Sequence, residues 1–280
     1  MQPLEIFKSK FPVSQKIANA TLNFSSQPPE SVLKELAEFI SKPHSERPSR
    51  SSLPMGGKGE RLFVKIQRVE TLPKRLRVML GRPKRSGRYD WPLEELLNTL
   101  NAVELGVDTA PVVGFGVVRP MLGLVNEFVL ITEMLDGHID GLQWLEANPR
   151  QVEAFVLSAF ALTLELHRKG LVHLDLWAAN IMVPVEHDGP LRVIDMENAF
   201  TRKSGFCSET LGFQVGFLYK RELERFIDEA RFDALAAEFV GRLDSVHMER
   251  FTPCYEAAKL DHIGRKQRRK IFLRGELEVG

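Results

Sequence analysis

Hydrophobic positions in this chain recur at two periods, and the change of period divides the sequence. From Pro29 to Ile40 the apolar residues fall three and four apart, the spacing of a helix with one buried stripe. The stretch 43–52 is rich in Ser, Arg and Pro and reads as a loop. Gly56-Gly57-Lys58-Gly59 reads as a tight turn into a strand over Arg61-Leu62-Phe63-Val64-Lys65-Ile66, so a hairpin is expected there. Pro92 to Leu105 predicts a helix, with Pro92 in its first turn, Gly106 at its end, and Leu93, Leu96, Leu97, Leu100 and Val103 on one face. Two strands follow, Pro111 to Val118 and Glu127 to Glu133.

After Gly137 the helical period returns. Gln151 to Lys169 ends at Gly170, a C-cap residue, and its core, Ala154 to Leu166, reads as a buried helix. Thr201 to Gly216 looks like a loop, and Arg221 to Leu243 is helical, with Phe226, Ile227, Leu235 and Phe239 as its apolar positions. No internal repeat is present. The expectation is an α+β chain: an antiparallel N-terminal sheet with one main helix over 1–135, a mostly helical part over 136–280, a boundary near Leu135 to Gly141, and a cleft between.

Composition narrows this only a little. With 280 residues and 44% hydrophobic content the chain can bury a sizeable core, and a net charge of +1 selects no partner. Cys207 and Cys254 form no disulfide framework and no metal-ligand spacing, which suits a reducing cytoplasm. Met1 to Lys8 lacks the basic start and apolar stretch of an export signal, and Ala154 to Leu166 is too short to span a bilayer and contains Glu165.

The chemistry concentrates at His173-Leu174-Asp175-Leu176-Trp177-Ala178-Ala179-Asn180, followed after the Pro184 to Pro190 turn by Leu191-Arg192-Val193-Ile194-Asp195. Phosphoryl transfer needs a carboxylate beside the acceptor hydroxyl and oxygen ligands for magnesium. Asp175 suits the first role, and Asn180 with Asp195 the second. H-x-D alone is weak, and its bland reading is two polar loop residues with Asp195 capping a helix. The joint spacing is far more specific.

Lys65, flanked on its strand by Val64 and Ile66, points to the opposite face and could reach the phosphates of a nucleotide. Glu95 is the partner expected to orient it, with Glu94 and Glu104 as competitors. In Thr132-Glu133-Met134-Leu135 the backbone groups of Glu133 and Leu135 could take two edges of an adenine ring. The glycines at 56–59 fit a hairpin turn better than a phosphate cradle, and Ser45 to Ser52 is the better candidate to cover the phosphates.

Two basic segments stand out. One holds Arg68, Lys74, Arg75, Arg77, Arg82, Lys84, Arg85 and Arg88 against Glu70 and Asp90; the other is Arg265-Lys266-Gln267-Arg268-Arg269-Lys270. Neither interleaves with aromatics, which disfavours nucleic acid, and together they favour an anionic, surface-bound substrate.

From about Gly56 to Phe200 the chain resembles the bacterial lipopolysaccharide core kinases, the heptose-phosphorylating group whose fold is similar to that of protein kinases. The resemblance is carried by the Gly-Lys-Gly turn with Phe63-Val64-Lys65-Ile66, the basic insert, Glu95 ahead of Glu104-Leu105-Gly106-Val107-Asp108-Thr109, the His173 to Asn180 loop, and Val193-Ile194-Asp195. It implies a bilobal kinase-like fold and use of ATP and Mg2+. Lys65 would contact the ATP phosphates, Glu95 hold Lys65, Asp175 act on the sugar hydroxyl, and Asp195 with Asn180 bind magnesium. A cytoplasmic enzyme follows, peripheral on the inner membrane, with a lipopolysaccharide core acceptor.

Two positions depart from the kinase pattern: Leu174 replaces the arginine of H-R-D, and Met196-Glu197 replaces Phe-Gly after the metal aspartate. The missing arginine argues against control by a phosphorylated activation loop. Two alternatives remain open at this point. One is a small-molecule kinase resembling the aminoglycoside and choline phosphotransferases, and the other is a catalytically silent kinase-like scaffold.

Overall fold

The computed structural model describes residues 9–57, 61–120, 123–186 and 189–277. Met1 to Lys8, Lys58 and Gly59 of the tight turn, and His187 and Asp188 of the later turn lie outside the described residues. The chain divides into two compact units, one made of Met1–Leu100 and Ala110–Asp136, the other of Asn101–Thr109 and Gly137–Gly280.

The first unit is built on a six-stranded antiparallel sheet of order β1-β2-β5-β6-β4-β3. The strands are β1 Val13–Ile17, β2 Ala20–Phe24, β3 Arg50–Met55, β4 Leu62–Arg68, β5 Val112–Val118 and β6 Glu127–Glu133. The expected hairpin is β3–β4, with Met55 opposite Leu62 and Ser52 opposite Lys65. Arg50, Ser51 and Ser52 are therefore strand residues, which corrects the loop expected there. Polar residues suit β3 because it is a sheet edge.

The β1–β2 hairpin was not expected. Its signal is short: Ala20, Leu22 and Phe24 are buried in alternation with Thr21 and Asn23, and Ala18 turns the chain at φ 50°. β2 can lie against β5 because β5 carries glycines where the strands approach. A Cβ on Gly114 would sit 2.7 Å from Phe24 Cδ1, and one on Gly116 would meet Leu22 Cδ2 at 2.5 Å.

Both faces of this sheet are covered, which explains why β6 reads as a continuous apolar run. Val129 and Ile131 join Val64, Ile66 and Leu22 beneath Val32, Leu36 and Ile40 of the helix Glu30–Ser41. Phe128 and Leu130 join Phe115, Val78, Leu93 and Leu96 on the other face. Leu93 and Leu96 belong to the expected helix, observed over Trp91–Glu104. Val103 is 43% exposed, so the buried stripe does not continue to it, and Glu95 at 3% lies on the covered side. The basic stretch also holds a helix of its own, Leu72–Leu80, ended by Gly81 at φ 59°.

The second unit is helical. Val152–Lys169 is its central helix, capped by Gly170 at φ 82°, and Phe155, Val156, Ala159, Phe160 and Leu166 bury against the rest of this unit. The segment expected as a loop contains the helix Cys207–Lys220, in which every residue from Ser208 to Tyr219 is buried. A helix buried all round has no polar face, so no amphipathic period betrays it. Its two glycines lower its apparent propensity, yet at Gly212 and Gly216 the backbone of the helix Met248–Leu260 comes too close for a Cβ. The helical reading over Arg221 to Leu243 also breaks. A short turn at Leu223–Arg225 precedes the helix Glu229–Val240, whose start is fixed by Asp228 accepting from Arg231 N at 2.9 Å.

Candidate active site

In the first unit, strand alternation decides where Lys65 points. Val64 and Ile66 face the helix Glu30–Ser41, so Lys65 faces the opposite side, where Trp91–Glu104 packs. Its Nζ donates to Glu95 Oε1 at 2.5 Å, with the glutamate side chain 4% exposed. The competitors are excluded by their surroundings. Glu94 accepts from Arg88 Nη2 at 2.6 Å and from Tyr89 N at 2.9 Å, and Glu104 is exposed on the last turn. Glu133 closes β6, and its amide donates to Pro111 O at 2.9 Å, which excludes that amide as a ligand donor. Leu135 is buried.

Much of the first basic segment is neutralised internally. Arg77 Nε donates to Asp90 Oδ2 at 2.7 Å, Lys84 lies 3.3 Å from Asp90 Oδ1, and Arg88 pairs with Glu94. Burial pushes the Asp90 carboxyl up, but the Arg77 guanidinium and Lys84 ammonium outweigh it and hold the group below its ordinary value. Arg82 and Arg85 are exposed, and among the described residues neither is engaged in an ion pair.

In the second unit, short strands set the motif. β7 His138–Asp140 and β10 Arg192–Val193 flank β9 Ile181–Pro184 in one small sheet, and β8 Val172–His173 pairs with β11 Ala199–Phe200. The antiparallel hairpin formed by β9 and β10 brings Asn180 and Asp195 to its one open end, where Ile194 N donates to Asn180 O at 3.1 Å. The Asn180 amide donates from Nδ2 to Asp175 O at 2.8 Å, which turns its carbonyl oxygen into the available ligand atom. His173 is fully buried; its Nδ1 accepts from Asp175 N at 3.2 Å, so its Nε2 carries the proton and donates to Ile194 O at 3.0 Å. One histidine thus links the Asp175 backbone to the residue before Asp195.

Asp195 sits in the left-handed region at φ 63° and ψ 59°, a conformation that is costly for a residue other than glycine. It precedes the short turn Met196–Asn198, and its side chain makes no cap hydrogen bond there. The helix-capping reading of Asp195 therefore fails. One carboxylate and one amide oxygen match the way magnesium is held, by few protein ligands together with substrate phosphates. Among the described residues there is no cluster of three His, Cys, Asp or Glu that could hold a metal by themselves.

The departures from the kinase pattern have physical causes. Leu174 is fully buried among Phe213, Phe217, Ile263 and Ile271, so this position serves packing. Met196 is buried in the helical core, and Glu197 pairs with Arg265. The second basic segment is not a free cationic face. It forms the helix Arg265–Arg274, in which Arg268 Nη1 donates to Asp175 Oδ1 at 2.7 Å and Arg269 Nε to Asn198 Oδ1 at 2.7 Å. Nothing in the local spacing of residues 173–195 points to these arginines.

Gln214, on the unexpected helix, is another support that spacing could not reveal. Its Nε2 donates to His173 O at 3.1 Å, and its Oε1 accepts from His167 Nε2 at 2.5 Å. Burial holds His167 below its ordinary pKa, against the opposing hydrogen bond to Gln214. The folded state thus binds this proton less readily than the unfolded chain. Stability from this group is complete above the unfolded value of 6.5 and is lost as pH falls through the lower folded value, by about 1.4 kcal/mol for each unit of depression. Thermal melting should drop on acidification below about pH 6.5, and His167→Gln should flatten that slope.

Residues 32–206 match the family model described as the lipopolysaccharide kinase (Kdo/WaaP) family. That span contains Lys65, Glu95, Asp175, Asn180 and Asp195 and ends before Arg268. A solved structure described as WaaP in complex with acyl carrier protein is similar at 20% identity and a TM-score of 0.49, over 81% of this chain and 87% of its own. Another, described as the BubR1 kinase domain, is similar at 12% identity and a TM-score of 0.39, over 71% of this chain and 57% of its own. No curated protein matches the chain.

Proposed function

The chain belongs to the lipopolysaccharide kinase (Kdo/WaaP) family, phosphotransferases acting on a sugar hydroxyl, and from that premise we propose that it transfers the γ-phosphate of ATP to a heptose of the lipopolysaccharide inner core. The observation that carries the reading is the hydrogen-bonded frame of the second unit: Asn180 on the Asp175 carbonyl at 2.8 Å and His173 between Asp175 N and Ile194 O. A frame of this kind holds a carboxylate and two cation ligands in fixed relation, which is what positioning an acceptor requires.

In this reading Asp175 orients the heptose hydroxyl and takes its proton as the oxygen bonds to phosphorus and the bond to ADP breaks. Asn180 and Asp195 hold magnesium, which supplies neutralisation of phosphate charge. Lys65, fixed by Glu95, contacts the ATP phosphates, and the carbonyl of Glu133 with the amide of Leu135 takes the adenine edge. With Leu174 in the core, no loop arginine is available to read an activation-loop phosphate, so the enzyme acts without that switch. Family membership favours this acceptor over an aminoglycoside or choline-type substrate.

The sugar is tested by mass spectrometry of core oligosaccharide from cells with and without the gene. Loss of one phosphate from a heptose is the expected result; loss from a different core sugar would remove the heptose assignment while keeping the kinase.

No helix among the described residues is long and apolar enough to cross a membrane. The proposal places the enzyme in the cytoplasm, peripheral on the inner membrane, with Arg82 and Arg85 as the lipid-facing cations. Because Lys84 and Arg88 are engaged by Asp90 and Glu94, neutralising Arg82 and Arg85 alone should weaken sedimentation with anionic vesicles, by about 1 kcal/mol per cation. Unchanged binding of that variant would count against the surface role.

A further inference from the structure

We infer that Arg268 is the positioning residue of Asp175, supplying from the C-terminal helix the cation that the catalytic loop does not carry. The inference rests on the reading of Asp175 as the group that acts on the acceptor hydroxyl. It concerns a residue 93 positions away in sequence and outside the span matched by the family.

The loop from His173 to Asn180 contains no lysine or arginine: Leu174 is in the core, and Trp177 follows Leu176. Arg268 fills that gap and is held at its Nε, its Nη1 and one face of its guanidinium. Its Nε donates to Ile263 O at 2.8 Å, and its Nη1 donates to Asp175 Oδ1 at 2.7 Å with Leu174 O at 3.4 Å. Its guanidinium lies 4.2 Å from the Phe217 ring centroid, and its side chain is 6% exposed. A planar fork held this way keeps one geometry, which a lysine could not reproduce.

The helix itself is anchored around the same loop. Phe272 stacks on Phe200 at 3.8 Å between centroids, Arg269 binds Asn198, and Arg265 binds Glu197. The chain thus commits three cations of one helix to residues 175–198. The effect on Asp175 is directional. Arg268 engages Oδ1, whereas the nearest nitrogen of Arg265 is 3.9 Å from Oδ2, beyond hydrogen-bond distance. The carboxylate is therefore held by one oxygen and presents the other, the arrangement a group needs if it is to receive a hydroxyl in a fixed direction. Burial lowers the Arg268 pKa, and the Asp175 carboxylate opposes that shift.

The test is steady-state kinetics of Arg268→Gln and Arg268→Lys beside Asp175→Asn, with thermal melting and ATP binding measured on each. Arg268→Gln should lower kcat about 10- to 100-fold with KM for ATP unchanged, because a misaligned carboxylate impairs transfer and not nucleotide binding. Arg268→Lys retains the buried charge and should recover only part of that loss. Wild-type kcat in folded Arg268→Gln, or a rise in kcat showing that the pair is inhibitory, would overturn the inference. If Arg268→Gln does not fold, Arg268→Lys decides: a reduced kcat at unchanged KM supports the role, and wild-type turnover removes it. Wild-type turnover in Asp175→Asn would instead sink the reading of the site. An inactive Asp175→Asn beside normal Arg268 variants sinks the inference alone.

Discussion

Replacing Asp175 by asparagine should lower phosphate transfer to the acceptor by about 10²- to 10⁴-fold, the range a positioned acid–base group contributes. Asparagine is the informative substitution because the carboxylate has structural neighbours. Arg268 is buried against it, and truncation to alanine would leave an uncompensated guanidinium, a change that costs about 3–5 kcal/mol where a buried pair is broken. Asparagine keeps an oxygen for Arg268 and leaves the backbone bonds to His173 and Asn180 in place. Folding and ATP binding should therefore survive while transfer is lost. A rate within a few-fold of the unmodified protein would mean that the acceptor hydroxyl needs no carboxylate here.

The second large effect is expected at Lys65 and Glu95, where activity and stability should separate. The Glu95 carboxylate is 4% exposed and Lys65 Nζ lies 2.5 Å from it. Lys65→Met removes the cation that faces a buried carboxylate and should destabilise the protein by about 3–5 kcal/mol. Glu95→Gln leaves the ammonium, itself 16% exposed, with a weaker acceptor, and should be milder. The double variant replaces the ion pair by uncharged side chains, so melting should recover much of what Lys65→Met loses. In the proposed role Lys65 contributes charge at the phosphates, so transfer should not recover, an effect worth about 10²- to 10³-fold for a preorganised electrostatic group. Recovery of both properties together would show that Lys65 is structural only.

The parts of this site that local spacing could carry were legible in the sequence. His173, Asp175, Asn180 and Asp195 lie on one loop and one hairpin, so their separation along the chain limits their separation in space. Glu95 is read from position on its helix, and its burial together with the engagement of Glu94 by Arg88 decides between neighbours that spacing left open. Burial defeated the reading elsewhere. Cys207–Lys220 has no polar face to reveal a helix, and Gly212 and Gly216, which suggest a loop, are what allow Met248–Leu260 to approach. Gln214 and its contact to His173 were hidden with it.

Charge was misleading for a related reason. A run of arginines reads as a solvated cationic face, yet Arg268 and Arg269 turn inward to Asp175 and Asn198, and Arg77 and Arg88 find Asp90 and Glu94. Composition counts those charges but does not show which are already neutralised. The β1–β2 hairpin was missed through its brevity, since five-residue strands give too few alternations to outweigh the helical stripe that follows.

The central claim is that this chain moves a phosphate from ATP to a sugar of the lipopolysaccharide core. The most direct measurement is mass spectrometry of a dephosphorylated inner-core acceptor after incubation with the purified protein, ATP and magnesium, with Asp175→Asn as control. The account predicts that the acceptor gains one phosphate on a heptose hydroxyl with the unmodified protein and none with the variant. An acceptor left unchanged by protein that binds ATP with magnesium, or an equal gain with Asp175→Asn, would contradict it.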